Sequence, residues 1–174
     1  MSLSLYTAVI PSYLQMLGAM QGLIAKAERW CEEKQLAPAE LLERRLAPDM
    51  QPLSYQFKST VVHSLGAIEG VQRGSFSPDF SELPASFGPL RDRIGAAIDA
   101  LNAIDPKTVE GFVGRDMAFV FGEHRIAFEA HEFLLSFAQP NFYFHCTTAY
   151  DILRVEGLDI GKRDFMGRQR RKPG

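Results

Sequence analysis

Four histidines, His63, His124, His131 and His145, are the side chains best suited to chemistry near neutral pH. Imidazole is the one side chain whose unperturbed pKa lies there, and it is also a frequent metal ligand. His131-Glu132 begins like HExxH, the helical zinc motif, which needs a second histidine four residues after the first. That position is Leu135, so the motif fails. His124 falls at a turn between two apolar runs, where a solvated ring is the ordinary expectation. His63 has Thr60, Ala67 and Gly70 at helical spacing, small neighbours that leave room beside its ring. His145 lies on an apolar helical stripe. Antiparallel bundles build metal sites from side chains on facing helices, which makes His63 and His145 the pair to watch. The alternative is that each is a hydrogen-bonded core residue. Cys146 follows His145, but adjacent helical residues point about 100° apart and do not pair by default, so a buried small apolar group is the simpler reading. Spacing assembles no Ser/His/Asp set, and there is no GxGxxG and no phosphate loop.

The elements that must position these residues read mainly as helices. Ile10, Tyr13, Leu17, Met20, Ile24, Ala27 and Cys31 follow at steps of three and four, one apolar stripe of a helix over about residues 9–34. Pro11 suits its first turn. A short helix follows Pro38 through Leu42. A second long helix starts after Pro52 and carries Leu53, Phe57, Val61, Leu65 and Ile68, with His63 inside it. Gly74, Ser75, Ser77 and Pro78 then predict a loop. Leu90, Ile94, Ala97, Leu101 and Ile104 predict a third helix, ended by Asp105-Pro106. Residues 116–128 read as two short β-rich runs about Gly122, a small hairpin. Residues 130–138 predict a short helix, and Pro140 starts or kinks the last one. Phe142, His145, Ala149 and Ile152 share its inner face, and Gly157 is its left-handed stop. Three consecutive aromatics, Phe142, Tyr143 and Phe144, cannot all face one core. The motif Gly161 to Gly167 predicts an irregular segment folded back on the bundle and anchored by Phe165, with Lys162, Arg163 and Asp164 near the surface. The expected fold is therefore all-α in the main: a four-helix bundle with short accessory helices and a small β-hairpin before the last helical region. Residues 1–167 form its single domain, and 168–174 a basic, disordered tail.

Composition narrows the function classes. The 174 residues are 46% hydrophobic and 23% charged, an ordinary globular mixture able to bury a core. A net charge of −2 gives no general pull toward nucleic acid or anionic lipid. No uninterrupted apolar run reaches the roughly 18 residues that span a bilayer, and the first ten residues do not read as a signal peptide. Two isolated cysteines, Cys31 and Cys146, favour a reducing compartment over a disulfide framework. The expectation is a cytoplasmic protein with no nucleic-acid or membrane partner.

The segment Pro140-Asn141-Phe142-Tyr143-Phe144-His145-Cys146-Thr147-Thr148-Ala149-Tyr150-Asp151, continuing to Gly161-Lys162-Arg163-Asp164-Phe165-Met166-Gly167, resembles a bacterial domain-of-unknown-function branch of the DinB/YfiT-like metalloenzyme superfamily. Arg45-Leu46-Ala47-Pro48-Asp49-Met50 and the helix of His63 are also similar, and the likeness covers nearly the whole chain. The resemblance implies a four-helix bundle, often a homodimer. It also implies a divalent metal such as zinc or nickel, held by one histidine on the second helix and a His-x-x-x-His pair on the last. Carried over, His63 takes the first position and His145 the last, while the middle one falls on Asn141. An amide oxygen replaces imidazole poorly at zinc or nickel, which favour nitrogen and sulfur. The reading is thus a binding or structural module with an incomplete three-histidine site, open to a small-molecule ligand. The alternative is a divalent-metal-dependent enzyme such as a thiol S-transferase.

Overall fold

The computed structural model describes residues 3–172. Its first helix, α1 (Leu5–Lys34), starts four residues earlier than periodicity suggested, because the Ser4 hydroxyl accepts from the Thr7 N–H at 3.2 Å and caps it. Pro11 therefore lies inside the helix rather than in its first turn. The whole predicted stripe of α1, from Ile10 to Cys31, is buried. By length and composition α1 would also suit a membrane, contrary to the sequence reading: its most apolar 18 residues have a mean hydropathy of 1.2. Half of that window is buried inside the protein.

After α2 (Pro38–Leu42), the second long helix is not one helix but two, α3 (Leu53–Val62) and α4 (Leu65–Arg73). The break is at Ser64, whose φ of −110° and ψ of −88° leave the helical region. Its hydroxyl donates to the carbonyls of Thr60 at 2.6 Å and Val61 at 3.3 Å, the competition with the backbone ladder that makes serine a poor interior helix residue. His63 is consequently the terminal cap of α3 and not an interior residue.

The loop expected after Gly74 contains a short strand, β1 (Ser75–Phe76). It pairs in parallel with β2 (Asp116–Phe121), which forms the predicted hairpin with β3 (His124–Glu129). Gly70 permits this docking, since a Cβ there would stand 3.0 Å from Phe76 Cβ. Between these strands run α5 (Phe87–Asn102) and a one-turn helix missed in the sequence, α6 (Pro106–Glu110). Pro106 does not only end α5: it starts α6 from its favoured first-turn position. After α7 (Ala130–Glu132) the chain winds as a π-helix through Phe133–Ala138 and passes without interruption into α8 (Gln139–Val155). Pro140 lies in the first turn of α8, where its missing N–H costs least.

The bundle packs α1 on α5, α3 on α8, α3 on α5 and α1 on α8. Its centre is apolar and aromatic; Tyr13 meets Phe142 edge-on with centroids 4.7 Å apart. Cys31 and Cys146 are both buried and free. Of the aromatic triplet, Phe142 is buried while Tyr143 and Phe144 are partly exposed.

The segment 161–167 folds back as expected, but as a short helix, α9 (Lys162–Met166), rather than irregularly. The Asp164 carboxylate accepts the Gly161 N–H at 2.8 Å and so closes its first turn, an interaction the flanking glycines had obscured. Asp164 also pairs with Lys26 at 2.8 Å, and Phe165 packs on Tyr150 with centroids 5.7 Å apart. Phe165→Ala should therefore lower stability by about 2 kcal/mol in urea melts, while deletion of 168–174 should leave the midpoint unchanged. Equal midpoints for all three proteins would show that α9 does not hold to the bundle.

Candidate functional site

α3 is buried almost all round, although Ser54, Gln56, Lys58, Ser59 and Thr60 make it half polar. Such a helix must satisfy its polar groups inside the protein, and two of them do so at one cavity of about 350 Å³. Tyr55, Ser59, Val62 and His63 line it from α3, Asn141 and His145 from α8. Phe76, Phe119 and Phe137 close it from the sheet and the π-helix, and Pro78 and Asp79 from the strap 77–86 that joins β1 to α5.

His63 and His145 meet here. Their ring centroids are 5.3 Å apart and their planes 18° from parallel, with no apolar barrier between them. The pair singled out in the sequence is thus adjacent in the fold, with His63 reaching the cavity from a helix end. The remaining histidines stay away. His124 is exposed on the hairpin, and His131 accepts the Gly114 N–H at 3.4 Å near Glu129 and Glu132.

The two rings differ in their hydrogen bonding. His145 Nδ1 lies 2.7 Å from Gln56 Oε1, and the Gln56 amide nitrogen donates to the Gln51 carbonyl at 2.9 Å. With the amide so oriented, Nδ1–H is the donor and His145 keeps a lone pair on Nε2. Among the described residues His63 Nδ1 is buried without a partner. Burial, reinforced by the neighbouring His145, lowers His63 to about 3, and burial lowers His145 to about 4. Both rings are therefore neutral at pH 7. Beside them burial pushes the Cys146 thiol far up, which removes its thiolate and any nucleophilic role at neutral pH.

Asn141 lines the same cavity, but its amide nitrogen donates to the Phe137 carbonyl at 2.8 Å within its own helical turn. Toward a metal it has only its amide oxygen to offer. Among the described residues, no three His, Cys, Asp or Glu side chains stand together as an ion's ligands.

Sequence reasoning missed Gln56, Lys58 and Asp79. Lys58 is 1% exposed, and its ammonium donates to the carbonyls of Asp79 at 3.0 Å and Ser81 at 2.6 Å and pairs with the Asp79 carboxylate at 3.2 Å. Burial pushes the Asp79 carboxyl up, but hydrogen bonds from Ser81, Arg93 and Lys58 outweigh it and hold it below the usual carboxylate range. This buried cation pins the strap that walls the cavity. The available signal was the polar run Ser54 to Thr60 inside an apolar helical pattern.

The sequence matches the family described as Domain of unknown function (DUF1993) over residues 5–166. The chain belongs to this family. The DUF1993 chain is also similar in structure to the crystal structure of a DinB family member protein from Shewanella denitrificans. The TM-score is 0.81 and the identity 25%, covering 98% of this chain and 96% of that one. It is thus a domain-of-unknown-function branch of the DinB-like superfamily, as the motifs around 45–50 and 140–167 implied. No curated protein matches it. The three-histidine metal centre that the superfamily implies does not fit these residues: two imidazoles converge, and the third place holds an amide whose nitrogen is tied to the backbone.

Proposed function

We propose that this DUF1993 protein is a small-molecule-binding bundle whose site is the cavity between α3 and α8, without a complete three-histidine metal centre. The observation that carries the reading is the pair of neutral imidazoles facing an aromatic-walled space of about 350 Å³, a volume within the usual range of ligand pockets. Elemental analysis of protein purified without added metal is the test. The expected result is far less than one metal per chain; stoichiometric zinc, nickel or iron would overturn the proposal.

One observation favours the metal-dependent enzyme as a second reading. Two imidazoles on one tetrahedral zinc, bound at about 2.0–2.1 Å, have centroids roughly 5 Å apart, close to the 5.3 Å found here. Gln56 also fixes the His145 tautomer in the manner of a group behind a metal ligand. On this reading His63→Ala abolishes metal uptake; on the first it affects only stability.

A further inference from the structure

The cavity's wall chemistry says what kind of molecule it takes, and this inference rests on the reading of that cavity as a binding site. Among the described residues its lining contains no lysine and no arginine, and the one charged side chain in it is the Asp79 carboxylate, already paired with Lys58 and Arg93. A carboxylate or phosphate ligand would enter without a cationic side chain in the lining to meet it, a costly desolvation. Six of the twelve lining residues are apolar or aromatic: Tyr55, Val62, Phe76, Pro78, Phe119 and Phe137. Such surfaces favour a flat apolar body by burial and ring stacking.

The two histidines supply the polar end. His145 gives its Nδ1–H to Gln56, so its Nε2 is an acceptor, and among the described residues nothing donates to it. His63 Nδ1 is buried with no partner among the described residues. A buried orphan N–H is rarer than an under-satisfied acceptor, so the lone pair belongs on Nδ1 and the proton on Nε2. Nε2 is also the nitrogen of His63 that is not enclosed. Two neighbouring rings thus present one acceptor and one donor, with centroids 5.3 Å apart. A hydroxyl group answers both, since it donates one hydrogen bond and accepts another.

We infer that the pocket binds an uncharged, hydroxyl-bearing aromatic compound, whose hydroxyl donates to His145 Nε2 and accepts from His63 Nε2–H while its ring lies among Phe76, Phe119 and Phe137.

The test uses the full chain labelled with ¹⁵N-histidine and three probes of similar size: 4-methylphenol, toluene and 4-methylbenzoate, each at millimolar concentration. Ring-nitrogen shifts report where each probe binds. The expected result is that 4-methylphenol binds about tenfold more tightly than toluene, the gain from about one net hydrogen bond. It moves the Nε2 signals of His145 and His63, and 4-methylbenzoate does not bind. In His145→Phe the preference for the phenol over toluene disappears. The wild-type comparison decides the matter even if that variant folds poorly. If 4-methylbenzoate binds as well as the phenol at the same nitrogens, the inference of an uncharged hydroxyl ligand is overturned while the pocket stands as a binding site. If toluene matches the phenol, the donor–acceptor pairing is overturned. If none of the three moves either histidine, the inference and the binding-site reading fall together.

Discussion

Lys58→Met is expected to cost the protein about 3 kcal/mol, measured as the shift in unfolding free energy from urea titration at pH 7. Truncating one member of a buried charge pair costs roughly 3–5 kcal/mol when both partners are desolvated. Here the lysine is almost fully buried, but the Asp79 side chain is 25% exposed and keeps its bond to Arg93, which places the cost at the low end. Methionine replaces the stem of lysine well, so the loss comes from the head group. The Asp79 and Ser81 carbonyls lose their donor and the Asp79 carboxylate loses a cation. The effect should be local as well as global. Amides of 77–86 should exchange faster with solvent in the variant, because the strap is then held chiefly by Arg93. A shift below about 1 kcal/mol, the worth of an ordinary surface pair, would show that Lys58 does not hold the strap.

The second large effect is on acid stability. His63 and His145 have folded pKa values of about 3 and about 4, below the ordinary value near 6.5 that the unfolded chain restores. Above pH 6.5 both states leave the rings neutral, and their burial carries no proton penalty. As pH falls below 6.5 the unfolded chain takes up protons that the fold refuses. Stability then drops by about 1.4 kcal/mol per pH unit for each ring, until the folded value is passed. At pH 5 the two rings together should have removed on the order of 4 kcal/mol. The groups around them do not offset this. Asp79 remains ionised through this window because its folded carboxyl lies below the usual range, and Lys58 and Arg93 occupy it. The Gln56 amide, which faces His145, carries no charge. Urea midpoints measured from pH 7 to pH 5 should fall steeply for the wild type. They should fall much less for the double variant His63→Phe, His145→Gln. A flat wild-type profile would mean that the rings charge readily inside the fold, and so are not shielded from water.

Much of the architecture was legible because it depends on local spacing. The stripes of α1, α5 and α8 were read at steps of three and four, and each stripe residue from Ile10 to Cys31 is buried where that spacing puts it. The hairpin followed from two β-rich runs about Gly122, and the end of α8 from Gly157, whose φ is +97°. What failed locally did so where a side chain competes with the backbone or where one residue signals two things. Ser64 takes the helical carbonyls of Thr60 and Val61 and splits the second helix; Pro106 ends α5 and begins α6; Asp164 turns a glycine-flanked segment into α9.

The candidate site divides along the same line. Sequence alone determined the fold class, and it singled out His63 and His145 as the histidines to examine. Residue type and helical phase place His145 inward, and the motifs around 45–50 and 140–167 indicate the family. Only the tertiary structure decided that the two rings lie 5.3 Å apart, that Gln56 sets the tautomer of one, and that Phe137 claims the amide of Asn141. It also decided that Lys58 reaches across 21 positions to hold Asp79 against the cavity. The physical reason is that periodicity reports which way a side chain faces but not what stands opposite it. Partners distant in the chain, and the hydrogen bonds that fix protons and amides between them, exist only once the helices have packed.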